Sequence, residues 1–342
     1  MGAGLFGITS ALLLSRDGWN VRLVEQRPSI MSGASGNNIF RLHRGYHYPR
    51  SIETAVASQE SEIQFVGEYG DAVIYSSEHL YAISKSDSLT SAEDFLAHCR
   101  TISLPFTKVE NPIFRRGSVD LVVRAEEARI DPRALITICK QKLRESEVDV
   151  RCGTGVTPEL ATQFDFLVLA NNSGINDTAS ALDLPVPVRQ YELCEVAVVD
   201  RVPVGDRDIV VMDGGFISLS PFGRAPGKYL LYDVVNSVQS TQVSAICQLH
   251  PEHAYRDQWE ESIPSSFDAM KANACQFLEG FENVRRCRSL WSIRTVLPNV
   301  DATDERPTTV EWLAPTVLSV FSGKLGTSVV AGRKVVEELQ NS

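Results

Sequence analysis

The sequence predicts an α/β fold in two parts. One is a Rossmann-type nucleotide-binding domain whose first strand is missing; the other is a substrate domain with a mainly antiparallel sheet. Three observations predict it. The chain opens with Gly2, Gly4 and Gly7 in G-x-G-x-x-G spacing. A helical stretch, a short apolar strand and a terminal Glu25 follow, in the order such a turn requires. Farther on, "IVVMDGGFISLSPFG" and "KYLLYDVVN" alternate apolar and polar residues around turn signals, as antiparallel strands do.

"LFGITSALLLSRDG" has helix character and ends at Gly18, a suitable C-cap. "WNVRLVEQ" carries Val21, Leu23 and Val24 and reads as a buried strand. Glu25 lies 18 residues after Gly7, where a carboxylate can accept hydrogen bonds from an adenosine ribose. The glycines permit the tight turn, the approach to a pyrophosphate and the close packing of the helix. The helix N-terminus offers free N–H groups to the anion. The flanking Leu5, Phe6, Gln26 and Arg27 belong to the same expected cofactor site. A strand should precede such a turn, yet only Met1 does. A central parallel strand is buried on both faces, so its loss is costly, and the expectation is a start that lies upstream.

The next segment decides between nicotinamide and flavin. "SGASGNNIF" places Gly33, Ala34, Ser35, Asn37 and Asn38 in a small, polar run where backbone can approach a ring closely. Here the chain resembles the D-amino-acid-oxidase-like superfamily of FAD-dependent oxidoreductases. "ARIDPRAL" resembles that family's entry into a helix, and Asp131 before Pro132 also suits an N-cap and N1 pair. "SEVDVRCGTGVTPE" reads as strand and turn, and the resemblance implies a backbone contact from Val156 to the adenine. "FDFLVLANNSGIN" is a buried strand and turn. Ala170, Asn171 and Gly174 stand where the family has Ala-Ala-Gly or Ala-Thr-Gly. "LWSIRTVLPN" is similar to the family's Trp-x-x-x-Arg-Pro-x-x-Pro-Asp segment, with Thr295 and Asn299 as departures. "SGKLGTSVVAGRKVVEEL" resembles the Gly-Gly-Lys-Leu-Thr-Thr turn of glycerol-3-phosphate dehydrogenases. That implies flavin contacts from Gly323, Lys324, Leu325, Gly326 and Thr327. The implied FAD-binding domain is discontinuous, 1–50, 125–190 and 285–342, with 51–124 and 191–284 as the substrate domain.

"RLHRGYHYPR" concentrates arginines, histidines and tyrosines just after the flavin loop. It also resembles the Leu-Ile-His-Gly-Gly-Leu-Arg-Tyr segment of glycerol-3-phosphate dehydrogenases. His43, His47 and Lys324 are the candidate catalytic residues. Arg44, Tyr48 and Arg294 are the candidate substrate-binding residues, and Arg41 adds to the basic cluster. Such side chains can clamp a carboxylate or phosphate or take a proton. The expected substrate is therefore a small anionic amino acid, hydroxy acid or phosphate ester, or a related amine, oxidised by hydride transfer to FAD.

The bulk composition sets outer limits. The 342 residues carry a net charge of −10, which opposes nucleic-acid binding. No apolar run approaches the roughly 18 residues of a membrane span. The seven cysteines show no C-x-x-C pair, so reduced thiols and a cytoplasmic location are expected. His250 and His253 form H-x-x-H without further ligands, and no metal site is expected. The rival readings are a truncated or non-catalytic FAD-fold protein and a flavin monooxygenase. No feature fixes the oligomeric state, the electron acceptor or a covalent flavin link.

Overall fold

A computed structural model describes residues 1–75, 78–249, 263–298 and 307–342. His250, His253 and Asn299 lie outside the described residues. The architecture is mixed α/β, as the sequence predicts. The helix Leu5–Arg16 follows the glycine turn and buries Leu5, Ile8, Ala11 and Leu12. The strand Arg22–Glu25 comes next and pairs in parallel with Asp149–Cys152. A second parallel pair joins Leu167–Leu169 to Val317–Phe321.

Residues 1–3 lie between these two pairs without being a strand. The Gly2 N–H donates to the Val24 carbonyl at 2.8 Å, and the Ala170 N–H donates to the Met1 carbonyl at 2.9 Å. This layer is thus two half-sheets, Arg22–Glu25 with Asp149–Cys152 and Leu167–Leu169 with Val317–Phe321, to which Thr309–Ala314 adds antiparallel. Residues 1–3 bridge them, for the Met1 ammonium also donates to the Val168 carbonyl at 2.5 Å.

The second layer is a nine-stranded sheet. Its pairings are antiparallel except Arg207–Met212 with Glu78–Ser84. Alternation placed its strands correctly because the buried residues face a shared core: Ile209, Val211, Leu219 and Leu231 pack with Met270 and Phe281. The expected N-cap also forms, for the Asp131 carboxylate accepts from the Arg133 and Ala134 N–H groups at the head of the helix Pro132–Glu145.

Two segments differ from the expected division. The strand Arg285–Val296 pairs antiparallel with Arg189–Asp200 over nearly its whole length, so it joins the substrate-side sheet. The helix Ile52–Tyr69 packs on the nucleotide-binding side. Phe65 and Tyr69 share a core with Leu5 and Ile8, and the Tyr69 hydroxyl meets the Thr9 hydroxyl at 2.7 Å. Its buried positions recur at helical spacing, a pattern that names a buried face and not the partner it meets.

Candidate functional site

A cleft of about 780 Å³ runs between the two layers, lined from both ends of the chain. One end is formed by the glycine turn. Gly2 has φ +89°, and a Cβ there would stand 2.9 Å from the Asn171 backbone. A Cβ on Gly7 would meet the Gly2 carbonyl at 1.8 Å. Gly4 heads the helix Leu5–Arg16 and offers no side-chain cap. Ser35 Oγ accepts from the Leu5 N–H at 3.0 Å. The first turn therefore faces the cleft as a helix N-terminus suited to an anion.

Glu25 is nearly buried and holds this turn in shape. Its Oε2 accepts from the Ala3 N–H at 2.7 Å and its Oε1 from the Arg27 N–H at 3.0 Å. Gln26 and Arg27 line the cleft beside it. The run 33–38 forms the adjoining wall, tied down by its own amides: Asn37 Nδ2 donates to the Gly33 carbonyl at 3.1 Å and Asn38 Nδ2 to the Ala34 carbonyl at 3.0 Å. Ala170, Asn171 and Gly174 lie opposite. Gly323 to Thr327 close the far side before the helix Ser328–Gln340, with Thr308, Ser322 and Thr327 hydroxyls joined at 2.8–2.9 Å.

Two observations test whether these residues fit a bound dinucleotide. Added Cβ atoms on Gly2 and Gly7 would collide with backbone, so the turn can exist only with glycine there. Asn171 Oδ1 and Thr295 Oγ1 belong to cleft-lining residues and are buried without a hydrogen-bond partner. Buried polar atoms rarely stay unpaired, and a polar ligand in the cleft would satisfy them. The residues fit.

The other end of the cleft is basic and aromatic. His43 and His47 have ring centroids 4.9 Å apart, and the Tyr48 ring lies 5.4 Å from each. Lys324 Nζ sits 3.9 Å from the Tyr48 ring centroid and 3.4 Å from Ser58 Oγ. Arg294 enters from the opposite wall. It bonds Glu192 at 2.5 Å through Nε and donates to the Tyr232 hydroxyl at 3.1 Å.

Behind the histidines lies Glu127, which the sequence reasoning missed. It is fully shielded from solvent. It accepts from the Tyr81 hydroxyl at 2.7 Å and the Arg44 N–H at 3.1 Å. Its Oε1 is 3.5 Å from His43 Nδ1 and 3.6 Å from Arg41 Nε. Burial alone would push this carboxyl up; the neighbouring His43, His79 and Arg41 hold it below the usual carboxylate range. Burial pushes His43 below its ordinary value against the pull of Glu127. His47 lies well below its ordinary value through burial and the charges of His43 and Arg41. Both imidazoles are thus poised as neutral bases near pH 7. Glu127 lies in the two-residue link between the strands Val119–Ala125 and Ala128–Ile130, where no local pattern marks it.

Most expected residues meet in this one cleft. Five do not line it: Arg44, Leu5, Gly7, Asn37 and Val156. Arg44, expected to bind substrate, faces away from the cleft. Its guanidinium bonds Glu62 at 2.6 and 3.0 Å and Glu126 at 3.3 Å, away from the cleft. Successive residues of an irregular segment point different ways, and here Arg41 and Arg50 face inward instead. Arg50 Nε bonds Asp213 Oδ2 at 2.8 Å. Leu5 and Gly7 serve packing behind the turn.

Comparison with known proteins agrees with this fold. The family profile described as FAD dependent oxidoreductase (DAO) matches residues 1–308. The fold is similar to glycine oxidase from Geobacillus kaustophilus, at 12% identity, with 98% of this chain and 93% of that one covered and a TM-score of 0.73. It is also similar to L-proline dehydrogenase from P. horikoshii, at 13% identity, 99% and 92% coverage and a TM-score of 0.71. The glycerol-3-phosphate dehydrogenase of Bacillus halodurans, solved with FAD, matches at 15% identity, 99% and 63% coverage and a TM-score of 0.64. In sequence, the chain is 39% identical over 89 residues to the FAD-dependent monooxygenase kojA of Aspergillus flavus, covering 26% of this chain and 21% of that protein. It is 33% identical over 108 residues to the FAD-dependent monooxygenase FPY4 of Fusarium mangiferae, covering 32% and 29%. These alignments span less than a third of either curated relative.

Proposed function

The chain belongs to the DAO family of FAD-dependent oxidoreductases, and from that premise we propose that it oxidises a small amino- or hydroxy-acid at a C–H bond next to nitrogen or oxygen. One observation carries the reading: Arg41, Arg50, Arg294 and Lys324 line the same cleft as His43 and His47 in a protein of net charge −10.

The residues divide the work. The turn of Gly2 and Gly4, with the helix behind it, receives the pyrophosphate, and Glu25 the ribose. When bound, the flavin supplies the acceptor for the hydride. Arg294 and Lys324 hold the substrate carboxylate, and Tyr48 packs beneath Lys324. His43 takes the proton from the substrate amine or hydroxyl at its free ring nitrogen. Glu127 fixes the imidazole from behind and steadies the cation that forms. The substrate thereby gives up a hydride and a proton, and a C=N or C=O bond forms.

The arginines are already matched by acids: Arg41 by Glu127, Arg50 by Asp213 and Arg294 by Glu192. A singly charged carboxylate suits that balance better than a phosphate dianion. The test is to titrate holoprotein with carboxylates, phosphate esters and neutral amines while following the flavin spectrum. Spectral change with carboxylates, lost in Arg294→Met with FAD retained, supports the clamp. Equal binding of neutral and anionic ligands contradicts it. A second reading, monooxygenation, is favoured by the names of the kojA and FPY4 relatives. Labelled dioxygen separates the two: the label enters the product only in that case.

A further inference from the structure

Three loops, 86–90, 213–216 and 234–237, converge on the outer mouth of the cleft. They carry an apolar lip on a framework that is otherwise polar. Leu89 is 63% exposed yet lines the cleft, and Val235 is also 63% exposed. Phe216 and Val234 line the cleft between them. The lip is continuous with the inner site, because the Phe216 ring meets the His47 ring edge-on at 5.2 Å.

This lip is held in place rather than left loose. The Leu89 N–H donates to the Asp213 carbonyl at 3.1 Å, and the Asp213 N–H donates to Ser88 Oγ at 3.0 Å. The Thr90 hydroxyl and Arg50 Nε both donate to Asp213 Oδ2 at 2.8 Å. Across the mouth, Asp233 Oδ1 accepts from the Val235 and Asn236 N–H groups at 2.9 and 3.0 Å. Gly214 takes φ +111°, and a Cβ there would stand 3.3 Å from the Asp87 carbonyl, so glycine lets the loops 86–90 and 213–216 approach. A single exposed leucine is ordinary. An anchored apolar rim that runs into a cleft with a few convergent polar groups is the usual form of a ligand site.

We propose that the substrate is amphiphilic: a polar reacting head held at His43 and Lys324, and an apolar tail that lies over Phe216 and leaves between Leu89 and Val235. The inference rests on the reading of the cleft as the substrate site and adds the chemistry of the part of the substrate that does not react. A bare amino acid such as glycine would leave this wall wet; a head bearing an alkyl or aryl tail would cover it. Covering it tightens binding by up to about fourfold for each methylene buried, the equivalent of about 0.8 kcal/mol.

The experiment uses the FAD-loaded full chain and straight-chain carboxylates from acetate to octanoate, with the flavin spectrum as the readout. The expected result is affinity that climbs about two- to fourfold per methylene and then levels off. In Leu89→Ser, with FAD still bound, the climb should flatten while acetate binds as before. Val235→Ser serves as a second variant should Leu89→Ser fail to fold. Acids that bind with no dependence on chain length, or an unchanged climb in both variants, would overturn the apolar tail and leave the carboxylate site standing. No spectral change with any acid would overturn the carboxylate site, and the tail with it.

Discussion

Replacing Glu25 with Gln separates two jobs that one carboxylate performs. Its two oxygens accept from different backbone donors, Ala3 at 2.7 Å and Arg27 at 3.0 Å. Glutamine keeps the size but presents one oxygen and one NH₂ group, so one of those N–H groups faces a donor and loses its partner. A hydrogen bond to a charged group contributes about 1.5–3 kcal/mol. That loss falls on the turn with or without cofactor, so the apoprotein should melt measurably lower. The ribose contact is lost only when FAD is bound, and at the same size it weakens FAD about ten- to hundredfold. Apoprotein melting and FAD titration by flavin fluorescence read the two effects apart. Lower stability with unchanged FAD affinity would confine Glu25 to the turn and remove the ribose assignment. No change in either would refute the whole argument.

Other outcomes follow from the same contacts. His43, His47, His79 and His98 all have values lowered from 6.5, chiefly by burial. Such groups protonate in the unfolded chain before they do in the fold, so the stability they contribute is present above about 6.5 and is lost as pH falls through their lower folded values. Denaturant melts across that range check this; stability that rises on acidification would contradict it. Arg44→Met should leave carboxylate binding intact and destabilise the fold, because Glu62 would lose its main partner. Breaking a buried pair costs roughly 3–5 kcal/mol, and Arg44, about a quarter exposed, should fall at or below the low end. Loss of ligand binding without loss of stability would return Arg44 to the substrate site.

Much of the fold was legible because it depends on local rules. The G-x-G-x-x-G turn, the strand ending on Glu25 and the Asp131–Pro132 helix start each follow from backbone geometry that few residue types permit. The alternating strands of 207–233 announced an antiparallel sheet for the same reason. The sequence could not show which sheet the strand Arg285–Val296 would join, since its partner Arg189–Asp200 lies about ninety residues away and pairing carries no local mark. The basic run 41–50 reaches the cleft through Arg41 and Arg50, whereas Arg44 turns away from it. Arg44 differs from Arg41 and Arg50 only in direction, and direction is set by Glu62, Glu127 and Asp213. Glu127 itself stayed hidden because a buried carboxylate looks like any other acid until its partners are placed around it.

His43, backed by Glu127, is proposed to handle the proton while the substrate is oxidised. Anaerobic bleaching of the flavin by a panel of amino and hydroxy acids tests it most directly, with wild type compared against Glu127→Gln and His43→Gln across pH. The account predicts that wild type bleaches with an acid limb below pH 6.5, the ordinary value that burial lowers for His43. It predicts that His43→Gln retains FAD and bleaches about 10²–10⁴-fold more slowly, the usual share of a general base. In Glu127→Gln the acid limb should move lower still, because the carboxylate that raises the His43 value is gone. Bleaching at the wild-type rate and with the wild-type pH profile in both variants would contradict the account.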